Sequence, residues 1–398
     1  MLSKLNYFRP SLLYAGTKGV KFKVSQSDFT ISGNVLVAPL DWGLGHATRC
    51  VPVVRKLLEK NVPVLLAGDG KIKAILLQEF PQLPFLDLPG YQVEYAKERW
   101  WLPFHIAGQI PKILAAIEAE QEWLQNAVVE HNICAVISDN RYGLYHPAVP
   151  TVFITHQLLI KTGLGKLMDE MLQDQNYGYI NRFNECWIPD LEAPQSLAGE
   201  LAHPSTLPQV PCTYVGMLSR FSPPAQVSGD KHLLVILSGP EPQRSIFETL
   251  LIDQLQHYAG PAILVRGLPG STERPGGLPP QVQVYNHLAS ADLEQLIAGA
   301  GLVIGRCGYS TVMDLVTLNK KSILVPTPGQ TEQEYLARHL MKKGVAFCVE
   351  QEKFRLTNVL ELSSHFNYQL PQPGNSGLLD EAVRQLLFRL QASSQSPG

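Results

Sequence analysis

Residues 34–49 read NVLVAPLDWGLGHATR and residues 301–315 read GLVIGRCGYSTVMDL. Each stretch passes from a β-type apolar run through a glycine turn into apolar residues at helical spacing. Strand, turn and helix in that order is the first half of a βαβ unit. Glycines in such a turn let backbone N–H groups approach an anion, and the positive end of the helix dipole favours negative charge there. Two turns of this kind, far apart in one chain, predict two half-sites of a single cleft with phosphate as the expected anion.

Working outward, β-type runs alternate with helical stretches from Asn34 to about Val215. The runs VPVLLAG from Val62, ICAVISDN from Ile133, PTVFITH from Pro150 and ECWIPD from Glu185 are separated by segments such as CVPVVRKLLEK and QIPKILAAIEAEQEWLQNAVVEH. The stretch SRFSPPAQVSGDK from Ser219 breaks the rhythm with Pro, Gly and Ser. Alternation then resumes with HLLVILSG, PAILVRG, VQVYNHL, GLVIGRC and SILVPTP. The pattern predicts an α/β protein of two doubly wound, Rossmann-like domains facing an interdomain cleft. The expected division is an N-terminal extension over 1–33, disordered; a first domain over 34–218; a linker over 219–230; a second domain over 231–376; and a C-terminal helix and tail over 377–398 that pack back across the linker. Open parallel sheets bind ligands beyond the carboxyl ends of their strands, where all the candidate loops fall.

Composition narrows the function classes. The 398 residues are 45% hydrophobic and 17% charged, enough for two large cores, and a net charge of -2 gives no overall footprint for nucleic acid. The six cysteines show neither a CxxC pair nor zinc spacing, so they read as reduced, buried thiols. No apolar run approaches the ~20 residues a spanning helix needs. Lys4, Arg9, Lys18, Lys21 and Lys23 precede any acid, but the apolar stretch SLLYAG is too short for a secretory signal, and the segment is given no role.

Candidate chemistry lies at the strand ends. His46 sits at a helix N-terminus, which favours the neutral imidazole that accepts a proton, against a bland role in helix capping. Arg49, one turn on, reaches a phosphate, pairs a carboxylate or is simply solvated. Asp41 either orients His46 or, more in character, caps the helix. Asp139, Asn140 and Arg141 in SDNRYG end a strand, where they suit acceptor hydroxyls or a base, with a local Asx turn as the alternative. His156 and Gln157 end another strand. In the second half, Ser238, Gly239, Gln243, Arg244 and Ser245 form a turn and helix start suited to phosphate. Gly308 permits close backbone approach, Ser310 and Thr311 add hydroxyls, and Asp314 has the reach of a ribose. Glu332, Gln333 and Glu334 follow a Pro/Gly turn and suit a sugar, or form a solvated helix start.

These residues resemble the GT-B fold and the MurG-like members of glycosyltransferase family 28 over roughly Asn34 to Val349. Arg306 to Asp314 is similar to the family's R-S-G-x-x-T-x-x-E motif, VPTPGQTEQEYLA to its VP…DxQxxNA continuation, and Gly43 to His46 to its glycine-rich GxGH loop. Cys307, Asp314 and Leu336 depart from the family's serine, glutamate and asparagine. The resemblance implies a UDP-sugar donor held by the second domain: Ser238, Gly239, Gln243, Arg244, Arg306, Gly308, Ser310 and Thr311 near the diphosphate, Asp314 on ribose, Glu332 and Gln333 on the sugar. Gly45, Asn140, Arg141 and His156 would face the acceptor. The implied reaction is inverting displacement at the anomeric carbon, with His46 or Asp139 taking the proton. No DxD motif appears, so neither a metal ion nor another cofactor is expected.

Trp100, Trp101 and Phe104, beside Lys97 and Arg99, suit a membrane interface and a lipid-linked acceptor, with core packing as the alternative. Such an enzyme would be cytoplasmic, associated with the inner face of the membrane. Two rivals remain open at this point. One is a UDP-sugar hydrolase of the PseG type, which shares the GxGH-x-x-RC run found here from Gly43 to Cys50, and the other a non-catalytic nucleotide-sugar-binding protein.

Overall fold

The structure is a computed structural model that describes residue 29 and residues 31–92, 108–223, 232–372 and 377–395. Its first sheet contains β1 (Asn34–Pro39), β2 (Val64–Gly68), β3 (Phe85–Asp87), β4 (Ile133–Asp139), β5 (Thr151–Ile154), β6 (Glu185–Ile188) and β7 (Cys212–Tyr214). The second contains β8 (Leu233–Ile236), β9 (Ala262–Val265), β10 (Val282–Tyr285), β11 (Leu302–Arg306), β12 (Ser322–Val325) and β13 (Phe347–Cys348). The helices are α1 (Leu44–Glu59), α2 (Gly70–Glu79), α3 (Ile110–Glu130), α4 (Lys166–Ile180), α5 (Gln243–Leu255), α6 (Ser290–Gly299), α7 (Tyr309–Thr317), α8 (Thr331–Lys342), α9 (Leu356–Ser364) and α10 (Gly377–Gln395).

Every strand pair is parallel, and the orders are β3-β2-β1-β4-β5-β6-β7 and β10-β9-β8-β11-β12-β13. Each order reverses direction once, between β1 and β4 in the first sheet and between β8 and β11 in the second. A reversal opens a crevice at the carboxyl ends of the two strands it separates, which is where such sheets take ligands. Strand β1 ends in the turn that carries His46, β4 ends on Asp139, β8 runs into Ser238 and β11 into Gly308. The topology therefore puts each glycine turn at a crevice.

Strands covered on both faces read as continuous apolar runs, and Val35 to Ala38 are fully buried. Helix α1 turns Ala47, Cys50, Val51, Val53, Val54 and Leu57 inward. The three short strands β3, β7 and β13 have no counterpart among the sequence-predicted runs, because two or three edge residues carry no periodicity.

Helix α10 leaves the second domain and packs against α1 of the first. Leu379, Ala382, Val383, Leu386, Leu387 and Leu390 are buried there, the five Leu and Val side chains each contributing about 1.5–3 kcal/mol by burial. Lys60 Nζ meets Asp380 at 2.8 Å, and Arg389 pairs with Glu185. Phe29, within the segment expected to be disordered, is buried edge-on against Phe388 with ring centres 5.1 Å apart. Most of that segment, like Trp100, Trp101, Phe104 and most of the predicted linker, lies outside the described residues. Among the described residues no helix is long and apolar enough to cross a membrane.

Candidate active site

The first domain contributes a buried polar cluster built on α1. The turn before the helix needs glycine at Gly43, whose φ is +104°, a conformation costly to residues with a Cβ. His46 and Arg49 lie on one face of α1, a turn apart, and both look toward Asp139 at the end of β4. His46 Nδ1 is 3.0 Å from Asp139 Oδ1. Arg49 Nε donates to Asp139 Oδ2 at 2.5 Å, and Arg49 Nη2 donates to Oδ1. Arg49 Nη1 lies 3.1 Å from His156 Nδ1, and His156 Nε2 lies 2.8 Å from Glu332 Oε1 on the second domain.

Counting donors fixes the protons. Turning the Asn140 amide so that its oxygen faces Arg49 Nη2 at 3.1 Å lets its nitrogen donate to Ile154 O at 3.2 Å and Thr155 Oγ1 at 2.9 Å. Both Nη2 hydrogens are then occupied, one by Asp139 and one by Asn140. Arg49 Nη2 also approaches His46 Nδ1 to 2.8 Å, but has no hydrogen left for it. His46 Nδ1 therefore carries the proton and donates to Asp139, and Nε2 keeps its lone pair. His156 takes the opposite tautomer, accepting from Arg49 at Nδ1 and donating to Glu332 from Nε2.

Asp139 is fully buried. Burial alone would raise its pKa, but Arg49 and His46 outweigh it and hold the carboxyl at about 2. His46 is pushed below the usual imidazole value, first by burial and then by the Arg49 charge. The imidazole is therefore neutral near pH 7, as a proton acceptor must be.

The second domain faces this cluster with the N-terminus of α7. Ser310 Oγ donates to Gly45 O at 3.0 Å, and a Cβ on Gly45 would stand 2.8 Å from that oxygen. Gly45 is thus required by the approach of the two domains. By contrast, a Cβ on Gly308 would meet only Thr311 Oγ1, at 4.0 Å, and one on Gly239 would meet nothing within 4 Å. Among the described residues nothing crowds either turn more closely.

Several residues expected at the site are engaged elsewhere in the structure. Arg141 is fully buried with Nε on Glu120 Oε1 at 2.6 Å and its Nη groups on Pro39 O and Pro89 O, so it braces the first domain and does not reach an acceptor. Asn140 serves Arg49 and the end of β5. Arg306 is 1% exposed, lies 4.2 Å over the Phe247 ring and donates to Gln243 O at 2.8 Å and Gln351 Oε1 at 2.7 Å, which leaves it behind the donor loops. Burial lowers its pKa to about 9. Arg244 is locked by Glu241 at 2.6 Å and Glu248 at 3.1 Å.

Asp314 accepts from Ser219 Oγ at 2.6 Å and faces Arg220 Nε at 3.6 Å, so the linker holds the carboxylate expected on ribose. Gln333 accepts from Thr327 N at 2.9 Å and donates to Gln330, which makes it a brace of its own loop. Asp41 neither caps α1 nor touches His46 but accepts from the backbone of Tyr91 and Gln92, each at 2.9 Å. The sequence alone leaves Arg49 undecided and puts Glu332 on the donor; the structure makes both of them partners of histidines. Among the described residues no three His, Cys, Asp or Glu side chains gather as a metal site requires.

Residues 273–374 match the glycosyltransferase family 28 C-terminal domain. A UDP-N-acetylglucosamine--N-acetylmuramyl-(pentapeptide) pyrophosphoryl-undecaprenol N-acetylglucosamine transferase from Desulforudis audaxviator is 38% identical over 90 residues, which is 22% of this chain and 22% of that protein. The chain therefore matches only about a fifth of that relative's length. Over the whole fold, the glycotransferase of kitacinnamycin superposes with a TM-score of 0.58 at 13% identity, covering 90% of this chain and 95% of that one. SnogD from Streptomyces nogalater gives 0.55 at 16% identity, covering 92% and 96%. The scaffold is the GT-B fold, as expected from the sequence, and the match to the family 28 C-terminal domain falls within its second domain.

Proposed function

We propose that this chain, which carries the family 28 C-terminal domain on a GT-B scaffold, transfers a hexose or N-acetylhexosamine from a UDP-sugar to an acceptor hydroxyl, with inversion and without a metal ion. The observation that carries the reading is the His46–Asp139 pair. It leaves Nε2 unprotonated on the helix whose Gly45 accepts from Ser310, at the N-terminus of α7, at 3.0 Å.

The acceptor oxygen attacks the anomeric carbon from the face opposite UDP, and the bond to the departing phosphate oxygen breaks. His46 Nε2 takes the acceptor proton, and Asp139 stabilises the resulting imidazolium through Nδ1–H without itself becoming protonated. The backbone N–H groups opening α7 and the turn at Gly239 receive the charge that grows on the diphosphate. Ser310, now on Gly45 O, would exchange that acceptor for a phosphate oxygen. The pyrophosphoryl-undecaprenol named for the relative motivates a lipid-linked acceptor, which would bring the enzyme to a membrane surface as a peripheral protein.

UDP release from a panel of UDP-sugars, with and without a lipid extract, tests this. Release that needs the extract and falls at least 100-fold in His46→Ala is the expected result. Steady release of free sugar without acceptor would identify a hydrolase, and unchanged turnover in His46→Ala would remove His46 from the mechanism.

A further inference from the structure

His156 follows β5 in the first domain, whereas Glu332 stands in the first turn of α8 in the second. Their 2.8 Å contact crosses the cleft. His156 is 4% exposed and its ring stacks on Tyr309, also from the second domain, with centres 4.3 Å apart and planes 14° apart. A buried imidazole N–H without an acceptor is costly, so the tautomer with hydrogen on Nε2 is favoured once Glu332 has arrived. That tautomer leaves Nδ1 as the acceptor for Arg49 Nη1, and Arg49 in turn grips Asp139, which orients His46. The charged and titratable groups around His156 are Arg49 from α1, Glu332 from α8 and Tyr309 from α7, with Asp139 and His46 beyond Arg49 and Asp190 beyond Tyr309. Burial would raise the Glu332 pKa, but His156, then Arg49 and His46, outweigh it and keep the carboxyl ionised.

We propose that Glu332 is a positioning residue that the second domain lends to the base of the first, so that His46 reaches full proton-accepting competence only when the domains are closed. This rests on the glycosyltransferase reading above. It reassigns Glu332 from the donor sugar to the histidine network, and gives the enzyme a means of withholding general-base catalysis from an open cleft, where water would compete with the acceptor.

Glu332→Ala, Glu332→Gln and Tyr335→Phe separate the possibilities. Tyr335 Oη accepts from Glu200 N at 2.7 Å and so joins the domains with no hydrogen bond to His46 or His156. Glu332→Ala is expected to lower kcat roughly ten-fold with the donor KM within about two-fold, and to move the acid limb of kcat/KM to lower pH, because an anion near His46 is lost. Glu332→Gln keeps an acceptor for Nε2–H and is expected to recover most of kcat, while Tyr335→Phe leaves the acid limb in place. Nitrogen-15 imidazole spectra of the same proteins report the His156 tautomer and the His46 titration independently of turnover.

A higher donor KM in Glu332→Ala with kcat and the acid limb unchanged would overturn the proposal and return Glu332 to the donor. An unchanged His46 titration in Glu332→Ala would overturn it as well. If the wild type turned over no UDP-sugar yet its His46 titration moved with Glu332→Ala, the function would be wrong and the coupling right.

Discussion

Asp139→Asn removes one negative charge from a cluster in which Arg49 is 2% exposed and Asp139 fully buried. Two independent routes give its size. The native environment lowers the carboxyl pKa from the usual 3.8 to about 2, nearly two pH units at 1.36 kcal/mol each, or about 2 kcal/mol of stability at neutral pH. That figure counts only the loss of the carboxylate's favourable environment. Leaving a buried guanidinium without its counter-charge costs about 3–5 kcal/mol in comparable cases, so the variant should fall in the range of about 2–5 kcal/mol. For domains of this size that is a fall in Tm of roughly 4–20 °C. Calorimetry of Asp139→Asn, Arg49→Met and the double variant measures it. Replacing both partners by neutral groups should recover more than half of the larger single loss, because no buried charge then stands alone. Strictly additive losses, or a single loss below about 1 kcal/mol, would refute the account of Arg49 and Asp139 as mutually compensating buried charges. Turnover should fall by about 10³–10⁴ in the same variant, since an amide in that place no longer holds Nδ1 as the donor.

Three further outcomes follow from the same geometry. His46 and Asp139 both bind protons less readily folded than unfolded, so the unfolded chain takes up more protons as pH falls and stability declines. The first loss begins below pH 6.5 and the Asp139 contribution goes between about pH 4 and pH 2, a course that urea midpoints at stepped pH trace and that Asp139→Asn should flatten at its lower end. Gly45→Ala puts a methyl 2.8 Å from Ser310 Oγ and 3.2 Å from its Cβ; kcat/KM should fall about ten-fold or more, and Ser310→Gly in the same chain should restore part of it, read from initial rates. Arg141→Met should cost about 3–5 kcal/mol in urea unfolding by stranding Glu120, while the acceptor KM of the folded enzyme stays the same, as a brace and not a ligand requires.

The parts of this molecule written in local pattern were legible. Apolar runs four to six residues long, alternating with helical stretches, foretold the parallel sheets and put His46, Asp139 and Ser310 at the strand ends that face the cleft. Positions that depend on a distant partner were not. Arg141 and Arg306 look from sequence like cations at the mouth of a site, and nothing nearby in the chain announces Glu120 or the Phe247 ring beneath them. Glu332 reads as an ordinary acidic first turn, because its partner is 176 positions away in another domain. Asp314 sits in the motif where a ribose is expected, but the hydroxyl it meets belongs to Ser219, at the start of the predicted linker. Long-range charge pairing and domain closure are the two determinants that a one-dimensional pattern does not carry.

Helix α10 is made last of the described elements but completes the first domain's surface. During synthesis, the apolar face of α1 that it covers stays exposed while the whole second domain is being produced, and is closed only when residues 377–395 emerge. The first domain thus reaches its finished form after the second, contrary to the usual order of vectorial folding. A ribosome stalled within the second domain would display that open face, a ready target for chaperones. Loss of the helix would be expected to show first as poor yield of the first domain.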